Sequence, residues 1–296
     1  MARMSIITLT TDYGLQDHYV GAIKGVILSI APRAVVVDIT HEVEPQNVAA
    51  GAFVLRQALE WFPPGTVHLA VVDPGVGTTR RILVAKYAGR FAVAPDNGLL
   101  TWLHRDFTVE ALHLVEQREY FLPDTFRTEF PSRAVDPSRD REGAVVPTRS
   151  RVSATFHGRD IMAPVAAHLV NGVAPEAFGR AVEHVELLPI SHRAEWKDGV
   201  LRGQIIYADR FGNLVTNVHA EQLSPTSGGF GKRGWAVSVN DSDVGPLRTT
   251  FGDVPVGGPV AYVGSSEFVE IAVNQGSATE RFGAPDSLVI VVRPGC

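Results

Sequence analysis

Asp73 is followed by Pro74-Gly75-Val76-Gly77-Thr78-Thr79 and then by Arg80 and Arg81. An apolar run over residues 66–72 delivers this carboxylate to a turn. Such a turn belongs at the C-terminal edge of a strand, where open α/β sheets keep their ligand crevices. Its glycines let backbone approach a small molecule closely, because they carry no Cβ. An Asp with an Arg seven residues on can face it across one pocket as an ion pair. The bland alternative is a tight turn with a surface salt bridge, worth little by itself.

Four further clusters carry polar chemistry. Asp12 and Asp17 lie around Tyr13-Gly14, between a strand-like run and a helix-like one. A carboxylate there can accept both hydroxyls of a ribose diol or can cap the helix. The cap is the preferred role for Asp17, and the two roles weigh evenly for Asp12. His157, in Phe156-His157-Gly158-Arg159-Asp160, stands at a helix entrance among charged neighbours. Asp209-Arg210-Phe211-Gly212-Asn213 fits a hairpin turn, and Ser265, Glu270 and Ala278 fall in polar loops suited to a purine edge. Pro95-Asp96-Asn97-Gly98 reads as a turn only.

Several reaction classes lose support from the same residues. The glycines after Asp73 are not followed by Gly-Lys-Ser/Thr, so they do not form a phosphate loop, and they open no helix of a dinucleotide fold. There is no Gly-x-Ser-x-Gly elbow. No His-x-x-x-His spacing points to a metal. The single cysteine, Cys296, excludes an internal disulfide and a cysteine zinc site. A net charge of -5 argues against a nucleic-acid partner. No run approaches the roughly 20 apolar residues of a membrane span, and no signal peptide is recognisable, so a cytoplasmic protein is expected.

These groups need elements to hold them. Residues 5–10, 34–39 and 66–72 read as strands. Tyr19, Ile23, Val26 and Ile30 fall on one helical face, as do Val48, Ala52, Leu55 and Leu59. Residues 81–87 and 90–94 read as a hairpin turning on Ala88-Gly89. Strands alternating with helices predict a mostly parallel α/β sheet. Residues 123–150, rich in Pro, Arg and acidic groups, read as a mobile surface insertion. A helix is expected after His157. Beyond residue 175 the pattern turns to strands at 185–190, 203–208, 214–218, 235–239, 260–263, 268–273 and 287–292. The fold class is therefore α/β over 1–190, with a smaller all-β, barrel-like domain over 191–296.

Taken in order, Thr11-Asp12-Tyr13-Gly14, Val72-Asp73-Pro74-Gly75-Val76-Gly77-Thr78, Pro95-Asp96-Asn97-Gly98, Thr155-Phe156-His157-Gly158-Arg159-Asp160 and Phe211-Gly212-Asn213 resemble one family. It is the S-adenosyl-L-methionine (SAM) hydrolases that form adenosine, or SAM hydroxide adenosyltransferases, relatives of fluorinase and chlorinase. The resemblance spans about residues 6–292 and leaves out the insertion. It implies an α/β domain, a β-barrel-like domain, and a homotrimer with substrate bound between neighbouring subunits. It implies no cofactor and no metal, since SAM is the substrate. Carried over by position, the catalytic set falls on Asp73, Arg80 and His157, and the ribose carboxylate on Asp12. Adenine and methionine contacts fall on Asp209, Asn213, Ser265, Glu270 and Ala278.

The implied reaction is an in-line attack of water or hydroxide on C5′. The sulfonium already leaves as a neutral thioether, so the protein's task is alignment, which can contribute on the order of 7–11 kcal/mol. Arg80 and His157 would orient the oxygen. Asp73 would hold the ribose end or Arg80, and is a candidate proton acceptor. Two alternatives stand beside this reading. Halogenases of the family carry Tyr at the positions of Asp73 and His157, and fluorinase carries Ser at Gly158; a carboxylate at residue 73 would repel a halide. A non-catalytic SAM-binding protein would keep Asp12 and Asn213 without needing Arg80 and His157 together.

Overall fold

The computed structural model describes residues 5–122, 152–223, 234–240, 242–285 and 288–294. The expected insertion at 123–150 lies outside the described residues. The chain divides into two compact units, Met1–Leu188 and Pro189–Cys296.

The first unit is built on a six-stranded sheet. Its strands are β1 (Ile6–Thr11), β2 (Val35–Thr40), β3 (Val67–Val71), β4 (Ile82–Tyr87), β5 (Arg90–Pro95) and β6 (Val109–Leu114), in the order β2-β1-β3-β5-β4-β6. β2, β1, β3 and β5 run parallel, while β4 is antiparallel to both β5 and β6. Helices cover both faces, as buried parallel strands require. On one face α1 (Tyr19–Ile30) and α4 (Ala163–Val170) close over Ile7, Leu9, Leu69 and Val71. On the other, α2 (Val48–Leu59) and α3 (Thr101–Asp106) lie together, with Phe53 edge-on to Trp102 at 6.3 Å. Here Gly51 is a packing requirement: a Cβ would meet Leu99 and Val72 at 2.9 Å each.

The β4–β5 hairpin turns on Ala88 and Gly89, at φ 48° and 72°. Two successive positive φ values give a turn whose twist matches the flanking strands. The expected β1–β5 and the first two helices are present, while α3 and β6 were not foreseen. Residues 185–190, expected as a strand, are not one. Their polar backbone is satisfied by side chains instead: Glu186 N donates to Asp96 Oδ1 at 2.7 Å, Leu188 N donates to Thr101 Oγ1 at 2.9 Å, and Arg105 donates to the Leu188 carbonyl. An alternating apolar pattern reports one covered face, whether a strand or a braced extended segment produces it.

The second unit is a sheet closed on itself. Its strands are β7 (Glu195–Lys197), β8 (Val200–Ala208), β9 (Leu214–His219), β10 (Trp235–Val239), β11 (Ser242–Arg248), β12 (Pro259–Val263), β13 (Phe268–Val273) and β14 (Val289–Pro294). The order is β14-β10-β11-β12-β13-β9-β8-β7, and β14 also pairs with β8, which completes the ring. Closure removes the sheet edges that would otherwise invite aggregation. Leu201, Leu214, Val218, Val237, Val269, Ile271, Ile290 and Val292 fill the interior. The one α-helix among its described residues, α5 (Ala278–Phe282), is capped by Ser277, whose hydroxyl accepts from Glu280 N.

Candidate active site

β3 ends at Val71, and the chain turns there through Asp73–Thr78. Hydrogen bonds from Val76 N to the Asp73 carbonyl and from Thr78 N to the Gly75 carbonyl, each 3.2 Å, set the turn. Gly77 sits at φ 80°, and a Cβ on it would lie 2.3 Å from the Ala154 carbonyl oxygen. The glycine thus lets the segment leading to His157 lie directly on this turn. Asn97 braces the strand end from the side, donating to the Val72 carbonyl at 2.9 Å. Asp96 is buried, paired with Arg81 and accepting from Glu186 N. The Pro95–Gly98 turn therefore supports Asp73 rather than merely reversing the chain. No local signal in the sequence marks this role, since Asp96 and its partner Arg81 stand 15 positions apart.

Asp73, Arg80 and His157 converge. Arg80 Nε lies 3.0 Å from both carboxylate oxygens of Asp73, and Arg80 Nη2 lies 2.5 Å from Oδ2. The same Nη2 is 2.9 Å from His157 Nδ1. The side chains of Asp73 and Arg80 are only 5% and 10% exposed. A guanidinium has donors and no acceptor, so Nδ1 must accept from it. The ring is then neutral, with its proton on Nε2. The electrostatics agree: burial first, and then the Arg80 charge, hold the His157 pKa below its usual value against the opposing pull of Asp73 and Asp160.

The neighbouring charges have structural tasks. Asp160 is buried, takes Arg159 Nε and Nη2 at 2.6 and 2.9 Å, and accepts Ser153 N at 2.7 Å. Arg159 also lies over the Phe156 ring at 4.7 Å. These bonds fasten the strand of chain that enters the π-helical turn Gly158–Met162, with His157 at its head.

Asp12 follows β1. Its Oδ2 accepts from Gln46 N at 2.9 Å, and Gln46 is held at φ 66°. Neither Asp12 nor Asp17 caps α1. The capping position is His18, without a side-chain cap bond. Tyr13, absent from the expected site residues, is half-buried beside it, edge-on to Phe156 with centroids 5.9 Å apart.

In the second unit Asp209 organises its own turn. Oδ1 accepts from Phe211 N and Asn213 N at 2.8 and 2.9 Å, and Oδ2 accepts from Asn213 Nδ2 at 2.8 Å. Gly212, at φ 79°, packs where a Cβ would lie 2.2 Å from Ser277 Oγ, and its carbonyl accepts from Thr279 N. Asn213 and Ala278 are thereby joined through one turn, and Phe211 stands 77% exposed at its tip. Glu270 accepts from Tyr262 OH at 2.9 Å and Ser266 Oγ at 3.2 Å. Ser265 is exposed in the adjoining loop.

The fold and site define an α/β protein with an appended closed β-barrel. It carries a shielded carboxylate–guanidinium–imidazole centre at the C-terminal edge of its parallel strands. The SAM hydroxide adenosyltransferase N-terminal domain matches residues 7–179, and the C-terminal domain of the same family matches residues 203–287. The chain belongs to this family. It is 40% identical to an (R)-S-adenosyl-L-methionine hydrolase of Thermus thermophilus, covering 97% of this chain and 99% of the relative. It is 38% identical to the enzyme of that name from Salinispora tropica, over 96% and 95% of the two chains. A fluorinase of Actinopolyspora mzabensis is more distant, at 28% over 97% and 96%. Among solved structures, an uncharacterized conserved protein from Thermotoga maritima superposes with a TM-score of 0.79 at 36% identity, covering 97% of this chain and 99% of that one.

Proposed function

We propose that this chain hydrolyses S-adenosyl-L-methionine to adenosine and L-methionine. The observation that carries the reading is the convergence of Asp73, Arg80 and His157 into a set with one acceptor and two donors. A water molecule placed there would donate a proton toward Asp73 and accept from His157 Nε2–H and Arg80. Oxygen attacks C5′, the C5′–S bond breaks with its electron pair going to sulfur, and methionine leaves as a neutral thioether. Asp73 is the group able to take the water's proton. Arg80 has no acceptor, and His157 spends its acceptor nitrogen on Arg80. The donors favour the developing hydroxide character of the oxygen.

The relatives' names support this substrate, and so does the charge of the centre, because a carboxylate at residue 73 disfavours a halide. Asp12 is the proposed ribose ligand, supported by its place directly after β1 and by the Gln46 amide that fixes its orientation. Asp209, Asn213, Ser265, Glu270 and Ala278 are the proposed contacts to adenine and methionine, supported for Asp209 and Asn213 by the braced turn they form, for Ala278 by the Gly212–Thr279 bond that ties α5 to that turn, and for Glu270 by its bonds from Tyr262 and Ser266. The enzyme is proposed to work as a cytoplasmic homotrimer without a metal or cofactor. Among the described residues no three His, Cys, Asp or Glu side chains could hold a metal ion, and no helix is long and apolar enough to cross a membrane.

The test is direct. The protein is incubated with each sulfur epimer of SAM, with and without chloride or fluoride, and the products are separated. Adenosine with methionine is expected with or without halide, from the (R) epimer that the relatives' names specify. A 5′-halonucleoside would mark a halogenase, and intact SAM that nonetheless raises Tm would mark a binding protein.

A further inference from the structure

Asp12 stands just beyond the point where the sheet loses its regular register. The parallel ladder of β1 and β2 is irregular between Leu9, which pairs with Asp38, and Thr10, which pairs with Thr40. Past that point the end of β1 is fastened by residues 41–46. Gly14 N donates to the His41 carbonyl at 2.7 Å, Val43 N to the Thr11 carbonyl at 3.3 Å, and Gln46 N to Asp12 Oδ2 at 2.9 Å. Among these bonds lies the His41 side chain, only 3% exposed. Its Nδ1 is 2.8 Å from Oγ1 of Thr11, which is itself buried. Its Nε2 is 3.1 Å from Asp38 Oδ1, at an angle too poor for a hydrogen bond, so that contact is electrostatic. Asp38 Oδ2 accepts from Lys24 Nζ at 2.6 Å. A ring with one proton keeps it on Nε2, facing the carboxylate, and Nδ1 then accepts from the Thr11 hydroxyl. The Thr11 oxygen in turn accepts from Tyr13 N at 3.3 Å. The contacts run in series from Lys24 and Asp38 through His41 to Thr11 and the Tyr13 amide, the two residues that flank Asp12 in the chain.

We propose that His41 is a positioning residue for substrate binding: its imidazole fixes the Thr11 hydroxyl, and with it the chain on either side of Asp12, so that this carboxylate meets the ribose diol already aligned. This rests on the hydrolase reading above and on Asp12 as its ribose ligand. An apolar side chain of like size would fill the same space without the cost of burying ring nitrogens. What the imidazole adds is direction, an acceptor aimed at the residue before the ligand. A binding group keeps its geometry through the bonds that its neighbours make. The consequence falls on affinity. Asp12 would hold the ribose hydroxyls alike in substrate and transition state, and losing such uniform binding raises KM while kcat is kept.

His41→Leu removes both polar contacts of the ring, and Thr11→Val removes the hydroxyl while keeping a β-branched side chain of the same shape. Each should raise the calorimetric Kd and the KM for SAM by about 3- to 10-fold, the worth of one hydrogen bond, with kcat at saturating SAM within about 2-fold. His41→Asn, whose amide oxygen can stand in the place of Nδ1, should recover most of the affinity. Added to Asp12→Ala, either substitution should weaken binding little further, because it acts through that carboxylate. Full additivity with Asp12→Ala overturns the assignment, as does wild-type affinity in His41→Leu and Thr11→Val. A drop in Tm with affinity unchanged would make His41 a packing residue and would equally overturn it. If His41→Leu does not fold, Thr11→Val alone and with Asp12→Ala decides. The wild-type chain is run alongside. If it neither binds nor hydrolyses SAM, the hydrolase reading fails and takes this one with it. If it turns over normally beside variants that bind SAM as tightly, only the His41 assignment fails.

Discussion

In the first unit Asp73 is held by Arg80 and Arg80 by His157, residues 7 and 77 positions apart in sequence. In the second, Asp209 is satisfied entirely by Phe211 and Asn213, within four positions. Both carboxylates lie at the end of a strand and are followed by a glycine-bearing turn. One recruits charges from distant segments into a shielded cluster. The other folds its own loop and spends its acceptors on backbone and amide groups. Shielded ionic groups cost desolvation, which good geometry must offset. A locally capped turn costs little and gives a stiff polar edge. The contrast separates a cluster assembled from distant segments, the proposed reacting centre, from a loop that stiffens itself.

The sharpest way to break that contrast is to take a member from the distant cluster. Arg80→Ala or His157→Ala should reduce kcat by about 10²–10³ or more, the cost of losing a preorganised group at developing charge. SAM affinity measured by calorimetry should stay within a few-fold. If either variant retains wild-type turnover, the cluster is an ordinary structural ion pair and the two regions do not differ in kind.

Paired substitutions then test the carboxylates against each other. Asp12→Ala should raise the dissociation constant for SAM about 10-fold or more, as expected when a charged hydrogen-bond partner is lost, with little change in Tm. Asp209→Ala should instead lower stability by about 1–3 kcal/mol, because three donors lose their acceptor. Turnover at saturating SAM should be spared. Denaturation and binding curves of the two proteins separate these outcomes. A stable Asp209→Ala protein with normal binding would show that the turn is held by Gly212 and Ser277 packing alone.

The elements that were legible in the sequence are those with a strong period or strong punctuation. β1, β3, α1 and α2 carry continuous or one-faced apolar runs, and Ala88-Gly89 marks its hairpin. The cluster of Asp73, Arg80 and His157 was legible through the motif around each residue taken in order, since nothing local joins residue 80 to residue 157. β6 and α3 were hidden because they are short and mix polar with apolar residues, and β11 because Gly245 and Pro246 interrupt it and only Val244 is buried. Residues 185–190 misled because side chains from Asp96, Thr101 and Arg105 satisfy a segment that resembles a strand. The bracing by Asn97 was invisible for a related reason. A turn sequence states its own geometry but not the carbonyl its side chain will reach.

The smallest expected effect concerns what lies beneath the two regions. Under the first, His68 of β3 is fully buried, with Nδ1 2.7 Å from Thr8 Oγ1. Among the described residues its Nε2 has no hydrogen-bond partner. Under the second, buried Thr216 and Asn217 of β9 are not ionisable, and buried His219 of the same strand faces the Glu221 and Glu267 carboxylates. Thr216 donates to the Val269 carbonyl, and Asn217 accepts from Gln204 N and donates to the Ser191 carbonyl. Burial, and then the Arg90 charge, push the His68 pKa down to about 4. The folded state therefore keeps the ring neutral, while an unfolded chain takes up the proton near pH 6.5. Between these values the unfolded state binds more protons, so stability falls as pH falls. The full loss amounts to no more than about 3 kcal/mol by pH 4. Hydrogen-exchange protection should accordingly drop further in β1 and β3 than in β9 and β13 between pH 7 and pH 5, and His68→Phe should flatten the difference. Equal losses in both sheets would mean that His68 takes its proton without opening the strands around it, and that the acid response of the chain is set elsewhere.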